Sequence, residues 1–271
     1  MNERYCAMRV LLAASILVAA AGCGTLPDGS RWGQDAFSSF ESNRIAGAAK
    51  KAFWHPNTLG PLAGAAVFAI DDFDERASDW AVKHTPLFGS ESDARDASDD
   101  LKLLLAVETL VTALATPSGD DVESWTRAKL KGMAVEAGAV AATQGLTGLL
   151  KSATDRERPD RSNDNSFPSA HSSSAFAYAT LSNRNLDHID VPPAARNGLQ
   201  VGNVLTAGGV AWARVEGRKH YPSDVLFGAA LGHFLAAFIH DAFLNLPGRD
   251  EIRLTSLPVE AGAGVQLAVR F

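Results

Sequence analysis

The spacing of apolar residues along this chain predicts a bundle of helices. Between Phe37 and Leu244, apolar positions recur at helical spacing, and prolines, glycines or short polar stretches separate the segments. We predict helices over about 37–53, 98–116, 122–151, 171–181, 196–215 and 223–244. Ser98, followed by Asp99 and Asp100, is the predicted N-cap of the second helix. The fold class that follows is all-α, a bundle of about six helices.

The pattern changes after residue 246. Apolar residues between Ile252 and Phe271 alternate with other residues around Glu260-Ala261-Gly262, which predicts a short C-terminal β-hairpin. The expected organisation is an N-terminal signal segment at 1–22, a tether and lead-in helix at 23–60, the main helical domain at 61–246 and a hairpin tail at 247–271.

The leader has a positively charged start and an apolar centre. Arg4 and Arg9 lie before or at the beginning of an apolar run that extends from Val10 to Ala21. An uncleaved membrane anchor is the alternative, but the run is shorter than the roughly 20 residues that a spanning helix needs. Translation that starts at Met8 instead of Met1 would give a compact leader of the same kind.

Gly22 and Cys23 follow the apolar run. This ending resembles bacterial lipoprotein signals, in which the cysteine receives lipid and becomes the new N-terminus. The resemblance implies a protein anchored at Cys23 in a bacterial cell envelope. Gly24, the residue after the cysteine, resembles the pattern of lipoproteins sorted to the periplasmic face of the outer membrane.

Charge and cysteine content narrow the functional classes. The formal net charge of -6 argues against a nucleic-acid partner. The two cysteines are Cys6 and Cys23, and Cys6 leaves with the leader, so the mature chain forms no internal disulfide.

The predicted helices are less apolar than membrane spans. Glu136 and Gln144 interrupt the 122–151 helix, which favours a packed bundle helix over a lipid-exposed one. The longest apolar stretch, Val225–Phe238, is shorter than about 20 residues and contains His233, which we expect to be a hydrogen-bonded core residue. We therefore predict a soluble or peripheral bundle, and a membrane-embedded bundle is the alternative.

Two acidic stretches are candidates for a cation site. The run at 71–75 lacks the glycine and terminal glutamate of an EF-hand loop, so it is interpreted as a solvated or capping turn. Asp155, Asp160 and Asp164 lie in a polar loop among arginines, which we expect to be their partners. We predict no metal and no other cofactor.

Three short blocks concentrate the candidate chemistry between residues 151 and 224. They are Lys151 with Arg158-Pro159, then Pro168-Ser169-Ala170-His171, then Arg214 with His220 and Asp224. Arginine forks and a lysine point charge suit the oxygens of a phosphate ester. The Ser169 hydroxyl and the backbone N–H of Ala170, at a predicted helix start, add donors. The set predicts a phosphate-binding site made of Lys151, Arg158, Ser169, Ala170 and Arg214.

The two histidines suggest covalent catalysis. A nucleophilic histidine must be neutral, with its other N–H held by an acceptor. Asp224 lies four residues after His220, across a loop that enters a helix near Ser223, so it is the expected orienter. His171 is then the expected protonated general acid, and kcat/KM is expected to be bell-shaped over the histidine pH range.

Over residues 100–245 the chain resembles the type-2 phosphatidate phosphatases, which are similar in fold and site to bacterial acid phosphatases and vanadium haloperoxidases. The three blocks match that family's motifs in order, with Ala170 in place of a glycine and Ala213 in place of a serine. The resemblance implies that His220 is the nucleophile, Asp224 its orienter and His171 the acid. It also implies a metal-independent hydrolase that acts on a phosphate monoester or diphosphate, and the lipid anchor favours a lipid phosphate.

Two other functions compete with this interpretation. One is a vanadate-dependent haloperoxidase, because vanadate at the same site supports halide oxidation in relatives. The other is a non-catalytic envelope lipoprotein that keeps the fold. A scaffold has no need of paired histidines among three cations, so the hydrolase is the preferred hypothesis.

Overall fold

The structure, a computed structural model, describes residues 22–38 and 40–246, together with the backbone of two strands at 252–259 and 262–269. The helices in this described part are α1 Ser42–Phe53, α2 Pro56–Phe68, α3 Phe73–His84, α4 Glu91–Ala115, α5 Val122–Thr154, α6 Ala170–Leu186, α7 Pro193–Glu216 and α8 Pro222–Phe243. The expected all-α class is confirmed. The expected number of about six helices is wrong, because α2, which begins at Pro56, and α3 are additional helices. The predicted signal peptide, apart from Gly22, lies outside the described residues.

The tail contains strands β1 Ile252–Val259 and β2 Gly262–Val269. They pair antiparallel, with Ile252 opposite Val269 and Val259 opposite Gly262.

Helices α6 and α8 form the centre of the bundle and lie very close together. A Cβ atom added at Gly232 would lie 2.1 Å from the Ser173 carbonyl oxygen, and one at Gly228 would lie 2.7 Å from that of Ser169. The Ser172 hydroxyl also donates to the Val225 carbonyl at 2.6 Å. These small residues let the backbones touch, and the contact brings the beginnings of both helices to one place.

Helix α4 begins earlier than predicted. Ser90 is its N-cap, and its hydroxyl accepts from the backbone N–H of Asp93 at 3.1 Å. Ser98 is buried inside the helix and donates to the Arg95 carbonyl at 2.8 Å, so its predicted capping role is wrong. Acidic residues follow both serines in the sequence. In the structure, Ser90 has the extended backbone of an N-cap, whereas Ser98 is helical. The earlier start adds two further helical turns to α4.

Residues 22–38 are not the tether that the composition predicts. The Trp32 side chain is fully buried against Ala36, Val135 and Leu244. Gly132 on α5 leaves room for the indole, since a Cβ there would lie 2.1 Å from the ring. This segment therefore packs on α5 and on the end of α8.

Helix α8 is long and apolar enough to cross a membrane by length and composition. However, 61% of its apolar window is buried inside the bundle, as expected of a core helix. The expectation that His233 is a satisfied core residue is confirmed, since its Nδ1 lies 2.9 Å from the Thr58 hydroxyl.

Candidate active site

The three sequence blocks meet where α5 and α7 end and where α6 and α8 begin. Lys151 lies in the last turn of α5, and Arg214 in the last turn of α7. A tight turn joins α7 to α8, and in it the backbone N–H of His220 donates to the Arg214 carbonyl at 3.2 Å. The Ser169 N–H donates to the Asp224 carbonyl at 3.1 Å and joins the second block to the third.

His220 is held in one tautomer. Its side chain is 2% exposed, and Nδ1 lies 2.6 Å from the Ser166 carbonyl oxygen, which can only accept. The ring proton therefore resides on Nδ1, and Nε2 carries the lone pair. Burial lowers the pKa of His220 to about 4, and the charges of Lys151 and Arg214 add to this against the opposing effect of Asp224. A neutral ring at pH 7 with a lone pair on Nε2 is the state that a nucleophile requires.

Asp224 does not bind His220 directly. Its Oδ2 lies 3.8 Å from Nδ1, too far for a hydrogen bond, and instead accepts from the Ser166 hydroxyl at 2.5 Å and from the Tyr221 N–H at 2.9 Å. The predicted orienting contact is therefore indirect: Asp224 holds Ser166, and the Ser166 carbonyl holds the imidazole. Burial opposes ionisation of Asp224, but Arg156 and Ser166 favour the carboxylate, so its pKa is lowered.

Arg156 is a site residue that the motif analysis misses. It donates through Nη1 to Asp224 at 2.6 Å and through Nη2 to Asp74 at 2.7 Å, and its guanidinium lies 4.3 Å from the centre of the Tyr221 ring. Asp74 is 4% exposed and also accepts from the Ser223 N–H at 2.8 Å. The stretch 71–75, predicted to be a solvated or capping turn, does lie at the start of α3, but Asp74 is buried there and not solvated. No local pattern reveals this contact, because it joins α3 to the distant start of α8.

Three cations converge beside His220. Burial, then Arg158, and to a smaller extent Arg214, lower the pKa of Lys151 to about 8, against the effect of Asp224. Burial and then Arg158 lower the pKa of Arg214 to about 10. Lys151 donates to the Asn165 carbonyl at 2.6 Å, and Arg214 to the Ser98 hydroxyl at 3.0 Å. Within the described residues, the buried Nε atoms of Arg158 and Arg214 have no hydrogen-bond partner. Both guanidinium groups therefore keep donor capacity for an oxyanion.

Ser169 and Ala170 form the beginning of α6. Ser169 is the N-cap, and its buried hydroxyl accepts from the Ser172 N–H at 3.4 Å. Ala170 is the first helical residue, so the positive end of the α6 dipole points towards the cations. The methyl group that replaces a glycine hydrogen is accommodated in helical conformation.

His171 follows in the first turn of α6 and contacts α4. Its Nε2 lies 2.8 Å from Asp99 Oδ1 and 2.9 Å from Lys102 Nζ. Burial, then Arg214 and Lys102, lower the pKa of His171 to about 4, against the effect of Asp99. The expected protonated state is therefore wrong for the ligand-free site at pH 7. Asp99 and Lys102 escape sequence analysis because the interpretation of Ser98-Asp99-Asp100 as a cap places them at a helix end.

The polar loop between α5 and α6 contains one further ion pair. Asp160 pairs with Lys219 and not with an arginine, contrary to expectation. Among the described residues, no cluster of three or more histidines, cysteines or acids has the geometry to hold a metal ion.

The fold and the motifs identify a class of protein. Residues 134–246 match the PAP2 superfamily, and this segment contains all three blocks. The expected superfamily is thereby confirmed for that segment. Among solved structures, the chain is similar to a transmembrane PAP2-type phosphatidylglycerolphosphate phosphatase from Bacillus subtilis. The two share 21% identity at a TM-score of 0.52, over 70% of this chain and 93% of that chain. No curated protein matches the sequence.

Proposed function

We propose that this protein is a phosphatase that hydrolyses a phosphate monoester or diphosphate through a phosphohistidine at His220. The observation that carries the proposal is the convergence of Lys151, Arg158 and Arg214 beside a buried, neutral imidazole. Three like charges repel each other, so their convergence is favourable only with an anion between them. A phosphoryl group, whose charge stays on its terminal oxygens through transfer, is such an anion.

The first step forms a bond between Nε2 of His220 and phosphorus and breaks the bond to the leaving oxygen. The cations and the N–H groups at the beginning of α6 hold the terminal oxygens in both ground and transition states. The Ser166 carbonyl accepts a hydrogen bond from Nδ1–H of His220 throughout, and Asp224 stabilises the positive charge that develops on the ring. In the second step, water attacks the phosphohistidine and inorganic phosphate leaves.

His171 is the proton donor for a leaving alkoxide and the base that activates water. A bound phosphate dianion beside His171 offsets Arg214 and Lys102, and therefore raises the pKa of the imidazole in the complex. When Nε2 is protonated, Asp99 is the acceptor at 2.8 Å. His171 thus acts as the acid while substrate is bound, and it acts as the base when water attacks the phosphoenzyme.

A lipid substrate fits the surface next to the site. The outward faces of α4, α5 and α7 carry exposed apolar side chains: Leu103, Leu104, Val107, Leu110, Val111, Leu146, Leu149, Leu199, Val201 and Leu205. α7 has no lysine or arginine between Arg196 and Arg214, and α5 has none between Lys131 and Lys151. This band, in which α4 also carries the half-buried Glu108, ends at the cationic site, so a bilayer against it would bring lipid headgroups to that site. We propose membrane association through this face.

We propose a more specific cellular location from the leader sequence and from the position of Cys23. Cys23 is exposed and lies where the chain enters the bundle, at the connection between α4 and α5. Lipid on Cys23 would hold the apolar band against the membrane, on the periplasmic face of an outer membrane.

The test is phosphate release by the full chain in detergent with EDTA, beside His220→Ala. A chromogenic monoester, phosphatidate and a prenyl diphosphate serve as substrates, and His233→Gln is the matched control at a buried histidine outside the site. Hydrolysis that survives EDTA, is lost in His220→Ala and persists in His233→Gln supports the proposal. Acid quenching should then trap an acid-labile phosphoenzyme. Equal activity of His220→Ala and wild type would overturn it.

A further inference from the structure

An ion pair ties the turn that carries His220 to the loop that carries Arg158. The Lys219 ammonium group pairs with the Asp160 carboxylate, and the two side chains have exposures of only 20% and 17%. Lys219 directly precedes His220, and Asp160 lies two residues after Arg158. The pair therefore joins the candidate nucleophile to a candidate phosphate ligand through two short pieces of backbone.

The turn that follows Arg158 is closed by hydrogen bonds of its own. The Arg158 N–H donates to the Asn163 carbonyl at 3.0 Å, and the Arg161 N–H donates to the Arg158 carbonyl at 2.9 Å. Asp160 belongs to the same turn, since its Oδ1 accepts from the Ser162 N–H at 3.1 Å. Because these bonds hold the turn together, a contact at Asp160 also fixes the backbone of Arg158.

The turn that contains Lys219 is also fixed by local contacts. The N–H groups of Lys219 and His220 both donate to the Arg214 carbonyl, at 3.0 and 3.2 Å. Gly217, in the same turn, contacts α4: its carbonyl accepts from Arg95 Nε at 3.0 Å, and a Cβ atom there would lie 3.0 Å from the Arg95 side chain. Each partner of the ion pair thus lies in a turn that is held by its own bonds, and the pair is a direct contact between the two turns.

The pair lies close to the three cations of the site but adds no net charge to them. The charge of Arg158 lowers the pKa of Lys151 and of Arg214, whereas Asp160 acts on the pKa of Arg214 in the opposite direction. Because Lys219 is matched by Asp160, the two together contribute little to the attraction of an anion. What the pair does supply is a fixed position for the loop that carries Arg158.

We infer that Lys219 and Asp160 are positioning residues that hold Arg158 against the phosphate group beside His220. This inference rests on the proposed phosphatase function, in which Arg158 binds the terminal oxygens of the phosphate. A displacement of about 1 Å in a group that binds the reacting centre can cost roughly a hundredfold in rate. Loss of the ion pair should therefore weaken phosphate binding through Arg158, although neither partner touches the phosphate.

The test measures the binding of inorganic phosphate to the full chain in detergent by calorimetry, beside kcat/KM on a chromogenic monoester. Lys219→Met and Asp160→Asn should each weaken phosphate binding about tenfold, whereas Lys219→Arg, which keeps the ion pair, should bind phosphate as wild type does. In an Arg158→Met background, Lys219→Met should change the dissociation constant by less than about twofold, because the residue through which it acts is gone. Arg218→Met, at the exposed neighbour in the same turn, is the matched control.

The direction of the Asp160→Asn effect separates positioning from charge alone. If the pair acted only through its charges, or if Lys219 bound phosphate directly, removal of the Asp160 carboxylate would strengthen phosphate binding while Lys219→Met weakened it. Effects of opposite direction, an equal Lys219→Met loss in the Arg158→Met background, or no change in either variant would overturn the inference. Lys219→Gln is a second neutral variant in case methionine disturbs folding, which thermal melting would reveal.

Failure of the proposed function would give a different result, because the binding measurement does not need turnover. A wild-type protein that binds phosphate but hydrolyses no ester, or that hydrolyses an ester no faster than His220→Ala does, would refute the phosphatase and leave the comparison of binding constants intact. A wild-type protein that binds no phosphate would refute both.

Discussion

Two buried histidines, His220 just before α8 and His233 within it, have similar protonation states and different surroundings. His220, just before the helix, has its proton on Nδ1 and a pKa lowered to about 4. His233 donates from Nδ1 to Thr58, whose hydroxyl donates onward to the Ala52 carbonyl, and burial, then His55 and Arg184, lower its pKa to about 3, against the effect of Asp241. Both rings are neutral at pH 7 with a lone pair on Nε2.

Their charged neighbours differ. Around His220 three cations converge, and two of them keep unused buried donors within the described part of the chain. Near His233 the cation is Arg184, which is paired with Asp241 at 2.9 Å, and the ring stacks on His55 at 4.6 Å. A cavity of about 490 Å³ opens beside His233, yet it contains none of the motif residues. Neither cavity size nor a lowered histidine pKa distinguishes His220 from His233; the excess positive charge around His220 does.

Replacement of the two histidines should produce the largest difference between the regions. We expect His220→Ala to lower kcat by roughly 10³-fold or more, as loss of a nucleophile usually does, because alanine has no lone pair with which to attack phosphorus. His233→Gln should change kcat by less than about threefold and lower the free energy of unfolding by about 1 kcal/mol through its hydrogen bond. Phosphate release and urea unfolding on both variants check this. A large kcat loss in His233→Gln would show that the distinction between the regions is wrong.

The next prediction concerns the ion pairs of Arg156 with Asp224 and Asp74, which lie next to His220 and not next to His233. Arg156→Met removes the guanidinium that bridges Asp224 and Asp74. We expect kcat to fall about ten- to a hundredfold, the range for loss of a residue that orients a catalytic group, with little change in KM. Arg161→Met, at an exposed arginine of the same loop, is the matched control. If both variants retained wild-type kcat, Arg156 would serve stability alone.

A smaller effect should appear in the pH profile. The lowered pKa of Lys151, about 8, means that this residue loses its charge as pH rises through 8, and phosphate binding weakens. His220 gains a proton only as pH falls through about 4. We therefore expect kcat/KM to be level between about pH 5 and 7 and to fall on either side. This profile is broader than the bell-shaped profile over the histidine pH range that the sequence predicts. Lys151→Arg should move the alkaline limb upward, and an unmoved limb would assign it to another group.

The smallest difference between the two histidines concerns stability, in which they should act alike. Each has a folded pKa below the unfolded value of about 6.5. Between about pH 6.5 and 4, the unfolded chain therefore binds protons that the folded chain excludes, so stability falls as pH falls. Each ring contributes up to about 3 kcal/mol to this loss. His233→Gln should flatten the urea midpoint between pH 6.5 and 4 relative to wild type, and parallel curves would place the acid sensitivity elsewhere.

The sequence predicts the parts of this molecule that local pattern controls. The ends of α5 and α7, the loop before α6 and the entry into α8 follow from prolines, caps and apolar spacing, and these boundaries put Lys151, Arg214 and His220 at or next to helix ends. Motif spacing then identifies the candidate site residues, and their catalytic roles are part of the proposed function.

Contacts between distant segments are what the sequence does not predict. Asp74 is one acid among several at 71–75, and only the packing of α3 against α8 singles it out. In the sequence, Ser98 and Asp99 have the pattern of a helix N-terminus. The structure shows that Ser90, eight residues earlier, caps the same helix. The predicted Asp224–His220 contact is indirect for a similar reason, since Nδ1 of His220 donates to the Ser166 carbonyl, which comes from another loop.

The partners on α3 and α4 limit how this protein can be divided. The segment 134–246 contains all three motifs, but Asp74, Ser98, Asp99 and Lys102 lie before it. Expressed alone, the segment would contain Arg156 without Asp74, Arg214 without Ser98, and His171 without either neighbour. The recognisable family segment is therefore not an independent module. Chimeras that exchange it between relatives should exchange α3 and α4 with it.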